Sequence, residues 1–322
     1  MMISRTINSG LSLAVSVAIF SGCNLGTPTQ QRVFHFQYKV TIPPIDKVGS
    51  VIKLWVPLPR CDPYQTITNL RIDGTAEITI HVEPKYGNTI AHLATVSPQP
   101  SGLDLNISFD VTRKEQGIRP VALDRDEINL NLAPVSKVPR DSRFDDIAKS
   151  IIIPTKPTME NGRLLYDFVR THMDYDKSGE GWGQGDAIYA CDFGTGNCSD
   201  YHSLFNAVAR TVNIPTRFLI GFTVNDEKKG SIQGYHCWTE FYAPDKGWIP
   251  VDISEADKHP EFEDYLFGHL DPNRVLFTIG RDIELVPTAQ GESVNFFIYP
   301  ILEIDGVRSN NYTAYFSFRP AN

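Results

Sequence analysis

The chain has 322 residues, of which 41% are hydrophobic and 21% are charged, and its formal net charge is −8. This length allows two or three structural units, each with a sizeable core. The acidic balance argues against nucleic acid as a partner, because proteins that bind a polyanion present basic surfaces.

Residues 1–22 have the features of a secretion signal. Arg5 precedes an apolar run at 11–20, which is shorter than the about 20 residues that span a bilayer. Two small residues then precede Cys23, a pattern that resembles a bacterial lipoprotein signal. The resemblance implies a lipidated Cys23, a polar tether at 23–31 and a membrane-anchored lipoprotein of the bacterial cell envelope, facing the periplasm or the exterior. Plain secretion without a lipid is the alternative.

Residues 32–115 are predicted to form an N-terminal β-sandwich domain. Aromatic and aliphatic residues alternate with polar ones from Phe34 to Ile42, which is typical of a strand with one buried face. Short strands separated by Pro, Gly and Asn favour a sandwich. Further strands are predicted at 51–56, 77–82, 90–96 and 103–111.

A connecting segment is predicted at 116–154, with one short helix. The next helix is predicted at 158–172, with Thr158 as its N-cap. Gly162 is expected to weaken this helix by about 1 kcal/mol relative to alanine. A glycine-rich loop at 179–185 follows, and it is no phosphate-binding P-loop because no Lys-Ser or Lys-Thr pair comes after it. The apolar face of the helix comprises Leu164, Leu165, Phe168 and Val169.

A buried helix is predicted to begin at Cys198. Gly196 belongs to the preceding turn, Asn197 or Ser199 can cap the first amides, and Pro215 prevents continuation. The positive end of the helix dipole favours a thiolate at this position, which would make the cysteine a nucleophile. The helical spacing of apolar residues comprises Tyr201, Leu204, Phe205, Val208, Ala209 and Val212.

Two strands are predicted around a turn at 243–247. If Tyr242 pairs with Lys246, then His236 lies directly opposite Asp252, with Cβ atoms about 4.5–5.5 Å apart. This register predicts a His–Asp hydrogen bond, which a cysteine nucleophile needs to orient its base.

A cysteine at a helix start, followed by a histidine and an aspartate on successive strands, resembles the transglutaminase-like superfamily of cysteine acyl-transfer enzymes. The resemblance covers residues 155–290. The matching motifs are G-x-C-x-D-x-H at 196–202, NIPTRFLIGF at 213–222, H-x-W-x-E at 236–240 and GW-x-P-x-D at 247–252. The resemblance implies Cys198 as the nucleophile, His236 as general base and acid, and Asp252 as its orienter.

The implied fold is α+β. A papain/transglutaminase-like core, in which a helix bearing Cys198 packs on an antiparallel β-sheet bearing His236 and Asp252, follows the N-terminal β-sandwich. The catalytic domain is predicted at 155–322. Its C-terminal strands are expected to complete the core sheet and close one end of the cleft, and they are predicted at 275–279, 283–286, 294–298 and 312–318.

Other polar and aromatic residues flank the predicted nucleophile and base. Tyr175, Trp182 and Gln184 are candidates for the second oxyanion donor beside the Cys198 amide, and Trp238 is a cleft candidate that could shield the His–Asp pair from water. Structural roles are predicted for His202, Cys237 and Glu240.

The resemblance implies acyl transfer from an amide bond of a peptide or protein through a thioester. Hydrolysis is favoured over transamidation, because no binding site for a second substrate can be recognised in the sequence. The alternatives are a protein-glutamine transglutaminase that cross-links proteins, a cysteine acyltransferase that uses a small-molecule thioester, and a non-enzymatic envelope binding protein with a relic triad.

The predicted partners are a protein or peptide substrate and, through the lipid anchor, a membrane. No cofactor and no metal are predicted, because the cysteine spacing does not suggest zinc and no EF-hand loop is present. Of the remaining cysteines, Cys61, Cys191 and Cys237, at most one pair can form a disulfide.

Overall fold

The computed structural model describes residues 30–96, 102–291 and 293–321. The predicted signal at 1–22, Cys23 and most of the predicted tether lie outside these residues. The fold is α+β, with three antiparallel sheets and a group of helices. In the described ranges, no helix has both the length and the apolar character needed to cross a membrane.

Three sheets account for the strands. The first five-stranded sheet has, in spatial order, β3 (Gln65–Gly74), β6 (Leu103–Lys114), β1 (Gln31–Ile42), β14 (Thr313–Arg319) and β8 (Gly230–Ile232). The second has β13 (Val307–Ser309), β12 (Ile301–Ile304), β2 (Val51–Pro57), β5 (Thr89–Val96) and β4 (Ile78–Val82). The third, the core sheet, has β10 (Gly247–Val251), β9 (His236–Ala243), β7 (Thr216–Thr223) and β11 (Arg274–Ile279).

The first two sheets enclose a common hydrophobic core, as the alternation along β1 predicted. Phe36 of β1 and Leu54 of β2 belong to one buried cluster, which also takes in Phe222 and Phe277 of the core sheet. The Phe36 ring centroid lies 5.7 Å from those of both Phe222 and Phe277. The sandwich therefore supports one side of the core sheet rather than standing apart from it.

β3 was not predicted, and its local structure explains why. Asn69 has a φ of 54°, and the pairing of β3 with β6 shifts between Thr68 and Arg71. Most of its side chains are exposed. The strand therefore lacks the regular alternation by which strands are recognised in a sequence.

The prediction that the C-terminal strands complete the core sheet is wrong for all but β11. β14 pairs with β1, where Phe318 lies opposite Phe36 and Phe316 lies opposite Tyr38. β12 pairs with β2. The free edge of β1 offers unpaired main-chain groups, and pairing there buries Phe316 and Phe318 against the sandwich core.

Two other predicted C-terminal strands do not form. The segments at 283–286 and 294–298 meet at one bridge, between Ile283 and Val294. Their apolar side chains are buried in local packing: Ile283, Leu285 and Phe297 join a small cluster with Trp55. Short apolar runs predict burial here but not strand pairing.

The segment at 116–154 carries two helices instead of the one predicted. The second of these helices buries Phe144 and Ala148, which lie one turn apart. Both belong to the hydrophobic cluster that contains apolar side chains of the helix that begins at Cys198. The helices are α1 (Arg125–Leu132), α2 (Ser142–Ile151), α3 (Thr158–His172), α4 (Ala187–Phe193), α5 (Cys198–Thr211) and α6 (Ile253–Lys258).

α5 is the central helix of this group. Its residues from Cys198 to Arg210 are all buried. It ends where predicted, since Asn213 takes a left-handed φ of 59° two residues before Pro215. The N-cap of α3 is Pro157 rather than the predicted Thr158, which is the first helical residue.

Gly162 of α3 is needed for close packing, so we expect Gly162→Ala to destabilise the protein. A Cβ at this position would overlap the ring of Phe241 on β9. Overpacking of this kind costs about 1–3 kcal/mol, which exceeds the about 1 kcal/mol that alanine gains in helix propensity. Urea unfolding would measure the change, with Lys149→Ala at an exposed site of α2 as the control. A Gly162→Ala variant more stable than the parent would contradict this prediction.

Candidate active site

Cys198 is held at the start of α5 by a reciprocal cap. Asn197 Oδ1 accepts a hydrogen bond from the Ser199 amide (2.9 Å), and Asp200 Oδ2 accepts one from the Asn197 amide (3.0 Å). This capping box identifies Asn197, rather than Ser199, as the cap. Cys198 therefore lies in the first turn, where the helix dipole favours a negative charge.

Asp200 also fixes the glycine-rich loop against α5. Its carboxylate accepts hydrogen bonds from the amides of Gly183 (2.6 Å) and Gly185 (2.9 Å). Gly196, at a φ of 150°, approaches the same carboxylate so closely that a Cβ would overlap it. The loop therefore lies beside the first turn of the helix that carries Cys198.

The predicted hairpin forms, but its predicted register is wrong by two residues. Pairing begins with Ala243 opposite Gly247, so Trp248 rather than Lys246 lies opposite Tyr242. Gly247 has a φ of 87°, a conformation that glycine adopts at no steric cost, and the second strand begins there.

His236 and Asp252 are nevertheless hydrogen-bonded. His236 Nε2 lies 2.6 Å from Asp252 Oδ2, and both side chains are buried. β10 ends at Val251, and Asp252 is the N-cap of α6, where its Oδ1 accepts from the Glu255 amide (3.2 Å). The turn into α6, rather than direct opposition across the ladder, brings the carboxylate to the imidazole. Because Nε2 is engaged, Nδ1 is the nitrogen available to Cys198.

Arg274 is a second partner of Asp252, and the sequence analysis missed it. Its Nη1 donates to Asp252 Oδ2 (3.0 Å) and its Nη2 donates to Asp271 Oδ2 (2.5 Å). Burial raises the pKa of Asp252, but His236 and Arg274 hold it well below its usual range. An arginine at the start of the apolar run R-V-L-F-T-I could have signalled a buried cation that needs carboxylate partners.

Cys198 and His236 favour each other's ionised form. Burial raises the pKa of the Cys198 thiol, but hydrogen bonds with Cys237 and His236 and the charge of His236 lower it by more, to well below its usual range. Burial lowers the pKa of His236, but Asp252 and the hydrogen bond with Cys198 raise it to about 10. These shifts favour a thiolate–imidazolium pair at neutral pH.

Residues 145–253, which hold all three of these side chains, match the core of the transglutaminase-like superfamily. This segment is a transglutaminase-like domain. The match begins within α2, whereas the predicted catalytic domain begins at 155, and the remaining domain boundaries stay predictions.

Two further similarities extend beyond the transglutaminase-like domain. An uncharacterized protein of Haemophilus influenzae is 25% identical in an alignment 352 positions long. The alignment covers 92% of this chain and 95% of that protein. A crystal structure of a putative cysteine protease from Cytophaga hutchinsonii has a TM-score of 0.56 at 18% identity, covering 90% of this chain and 99% of that one. The second similarity shows that the fold is shared over nearly the whole chain, sandwich included.

A more distant similarity is to the periplasmic domain of TgpA from Pseudomonas aeruginosa. Its TM-score is 0.38 at 15% identity, covering 71% of this chain and 91% of that chain.

Tyr175 and Trp182 share a contact with Lys177. Burial and then the charge of Cys198 raise the pKa of Tyr175. Lys258 Nζ lies 4.6 Å from the Tyr175 ring centroid, and Lys177 Nζ lies 5.2 Å from it and 5.9 Å from that of Trp182. Both aromatic residues remain candidates for the cleft.

Gln184 and Trp238 are placed differently. Gln184 is exposed, and its main-chain carbonyl accepts from Asn295 Nδ2 (2.7 Å). Trp238 is fully buried, with its ring stacked beside that of His236 at a centroid distance of 6.3 Å and with Arg274 over the same ring at 5.2 Å. This position suits the predicted shielding of the His–Asp pair.

His202 and Glu240 make structural contacts. His202 is buried, its Nε2 accepts from the Ile253 amide (3.1 Å), and burial lowers its pKa to about 4. Glu240 pairs with Arg217 and accepts from Gln116. Neither side chain is free to act as an acid or a base toward Cys198.

Tyr235 was also missed. Its hydroxyl accepts from Asn197 Nδ2 (3.0 Å) and lies 3.4 Å from Ser199 Oγ, so it supports the cap of α5.

The four cysteines in the described part of the chain, Cys61, Cys191, Cys198 and Cys237, are all free thiols. Residues 30–96, 102–291 and 293–321 contain no cluster of His, Cys, Asp and Glu arranged to hold a metal ion.

Proposed function

We propose that the protein is a cysteine-dependent enzyme that hydrolyses amide bonds of peptides or proteins through a thioester on Cys198. The observation that carries the proposal is that three buried groups interact in series. Cys198 at the N-terminus of α5 meets His236, and His236 Nε2 is hydrogen-bonded to Asp252. This is the arrangement of a nucleophile, its acid–base and an orienting carboxylate.

The first half of the reaction forms the acyl-enzyme. The Cys198 thiolate attacks the amide carbonyl, and the oxyanion that develops would accept a hydrogen bond from the Cys198 amide, a first-turn N–H that has no acceptor within the helix. The His236 imidazolium then gives its Nδ1 proton to the leaving amine as the carbon–nitrogen bond breaks. The products are a thioester and a neutral imidazole.

The second half resolves the thioester. His236, now neutral, takes a proton from water, whose oxygen attacks the thioester carbonyl. The carbon–sulfur bond breaks, the acid product leaves, and the thiolate–imidazolium pair is restored. Asp252 keeps the ring in one orientation and stabilises its positive charge throughout. Water is the simplest acceptor, because it needs no binding site of its own.

We further propose that Cys23 anchors this activity to a membrane of the bacterial envelope. The apolar run at 11–20 and the small residues before Cys23 support this proposal. A protein or peptide of the same compartment would then be the substrate.

We expect iodoacetamide to label Cys198 readily near neutral pH. At pH 6 it should label Cys198 at least about tenfold faster than it labels the exposed Cys61. The lowered pKa of Cys198 keeps its thiolate populated there, whereas an ordinary thiol ionises near pH 8.5. Mass spectrometry would locate each adduct over about pH 4–9. Labelling of Cys198 that rises only near pH 8.5, or none at all, would refute the nucleophile.

The acceptor can be determined separately. A glutamine-containing protein such as casein would be incubated with the enzyme, with and without dansylcadaverine. New N-termini or released ammonia without amine incorporation would support hydrolysis. Incorporation of the dansyl amine at glutamine would instead establish transamidation on the same thioester.

A further inference from the structure

A second carboxylate lies beside His236, on the side of the ring away from Asp252. Asp252 Oδ2 lies 2.6 Å from His236 Nε2, whereas Glu255 Oε1 lies 3.8 Å from Nδ1. Glu255 belongs to α6, and its side chain is 23% exposed, against 6% for that of His236. A carboxylate open to solvent therefore lies next to the nitrogen that would protonate the leaving amine.

Lys258 occupies the same carboxylate oxygen. Its Nζ pairs with Glu255 Oε1 and also lies over the ring of Tyr175, 4.6 Å from the centroid. A carboxylate and an aromatic face are both groups that attract an ammonium ion. We call Glu255 and Tyr175 together the ammonium site. In this structure the ammonium group on it is supplied by the chain itself.

The pair of Glu255 and Lys258 is one that a ligand can replace. The two residues are three positions apart on α6, and the side chain of Lys258 is 33% exposed. Pairs of this kind contribute little to stability, because solvent screens the charges and ordering two long side chains costs entropy. Lys258 is the last residue of α6, so its side chain can turn to solvent without loss of helical structure.

An anionic ligand suits this edge of the site less well than a cationic one. The charge of Lys258 is already paired with that of Glu255. Lys177, on the glycine-rich side, lies over the rings of Tyr175 and Trp182. The Tyr175 ring is thus contacted by two ammonium groups, which is the preference expected of an aromatic face.

The direction from which the leaving amine departs places part of the substrate here. For proton transfer its nitrogen must come within hydrogen-bond reach of His236 Nδ1, roughly 2.6–3.2 Å. Glu255 Oε1 lies 3.8 Å from the same atom. The residue that supplies the leaving amine, which is the one directly after the cleaved bond, therefore lies beside the ammonium site.

We propose that Glu255 and Tyr175 select substrates that carry a basic residue, lysine or arginine, directly after the cleaved amide bond. The side-chain cation of that residue takes the place of Lys258 on Glu255 Oε1 and on the Tyr175 ring. The proposal rests on the proposed function, since the acid role of His236 determines which side of the bond meets the ammonium site. It names the class of amide that the enzyme cleaves.

The test begins from the sites at which the enzyme cuts casein. Each new N-terminal residue is the one that supplied the leaving amine, and mass spectrometry would identify it. The best-cleaved sequence would then be synthesised in three forms, with lysine, norleucine or glutamate directly after the cleaved bond. Norleucine keeps the stem of the lysine side chain without its ammonium group. The measurements are kcat and KM for each peptide with the parent, Glu255→Gln and Lys258→Met.

We expect the parent to cleave the lysine peptide with a kcat/KM at least about tenfold above that of the norleucine peptide, as one charge-assisted hydrogen bond would give. Glu255→Gln should abolish most of this preference. Lys258→Met should increase it, mainly through a lower KM for the lysine peptide, because the internal ammonium group no longer competes. The control is Glu160→Gln, which breaks an exposed Glu–Lys pair on α3 and should keep the parental preference.

The outcomes that overturn the proposal differ from those that overturn the proposed function. A purely structural role of Glu255 in α6 would lower cleavage of all three peptides alike and leave the preference unchanged. Equal cleavage of the lysine and norleucine peptides by the parent, or a preference for glutamate, would remove the ammonium site and leave Cys198 as the nucleophile. If the parent cleaves no bond in casein, the hydrolytic function and this inference fail together.

Two independent variants keep the comparison usable. Circular dichroism checks the folding of each protein. Lys258→Met changes the competing cation rather than the carboxylate, so it carries the test if Glu255→Gln does not fold. A preference that Lys258→Met leaves unchanged or lowers would contradict the proposed exchange of cations.

Discussion

Replacing His236 with asparagine is expected to reduce amide hydrolysis by about 10⁶-fold, the loss that follows removal of the acid–base from a catalytic triad. Asparagine can still hydrogen-bond to Asp252, but it can neither protonate the leaving amine nor pair with the thiolate. Labelling of Cys198 by iodoacetamide at about pH 6 should fall as well, because the thiolate loses the cation that lowers its pKa. Casein cleavage and single-residue labelling would measure the two effects.

The parent enzyme is expected to lose amide hydrolysis at high pH, because His236 acts as its acid. The imidazolium is the acid, and its pKa is raised to about 10, so the acid form is present below that pH and is lost above it. Amide hydrolysis should therefore fall as the pH rises through about 10, while labelling of the thiolate should not.

The matched control for His236→Asn is His172→Asn, at an exposed histidine of α3. Hydrolysis by His236→Asn within tenfold of the parent would refute the assigned role.

Asp252→Asn is expected to reduce both turnover and stability. The carboxylate is fully buried and holds His236 and Arg274 together. Without its charge the imidazolium is less stable, and turnover should fall by about 10⁴-fold. The buried guanidinium also loses one of its two carboxylates, and breaking a buried ion pair costs about 3–5 kcal/mol. Urea unfolding and casein cleavage would measure these losses.

Asp271→Asn separates the two effects of the Asp252 substitution. Asp271 is the other carboxylate on Arg274 and is partly exposed. We expect a smaller loss of stability and a turnover that stays within about tenfold of the parent. If Asp271→Asn lost turnover as severely as Asp252→Asn, the effect would come from Arg274 or from folding, and Asp252 would not be an orienter.

The sequence predicted which residues form the His236–Asp252 contact more reliably than it predicted how the fold brings them together. The prediction paired His236 with Asp252 through a strand register that is wrong, and the contact forms because Asp252 turns out of β10 to cap α6. Arg274 lies 22 residues further along the chain and completes the same network. No local pattern encodes that contact, because it depends on where β11 pairs with β7.

The same limit explains the C-terminal strands. Alternating apolar residues predict that β14 is a strand with one buried face, but the partner of its edge is not a local property. β14 pairs with β1, more than 270 residues away, because that edge is free and because Phe316 and Phe318 fit the sandwich core.

The sequence by itself determined the elements around the active site: a capped helix that begins at Cys198, a hairpin that begins at His236, and an aspartate at the end of that hairpin. These follow from capping, periodicity and turn residues, which act over a few neighbours in the chain. Only the tertiary structure decided which atoms meet, namely Arg274 on Asp252 and β14 on β1. Such contacts are selected by the burial of charge and apolar surface over the whole fold, and a local pattern does not contain that information.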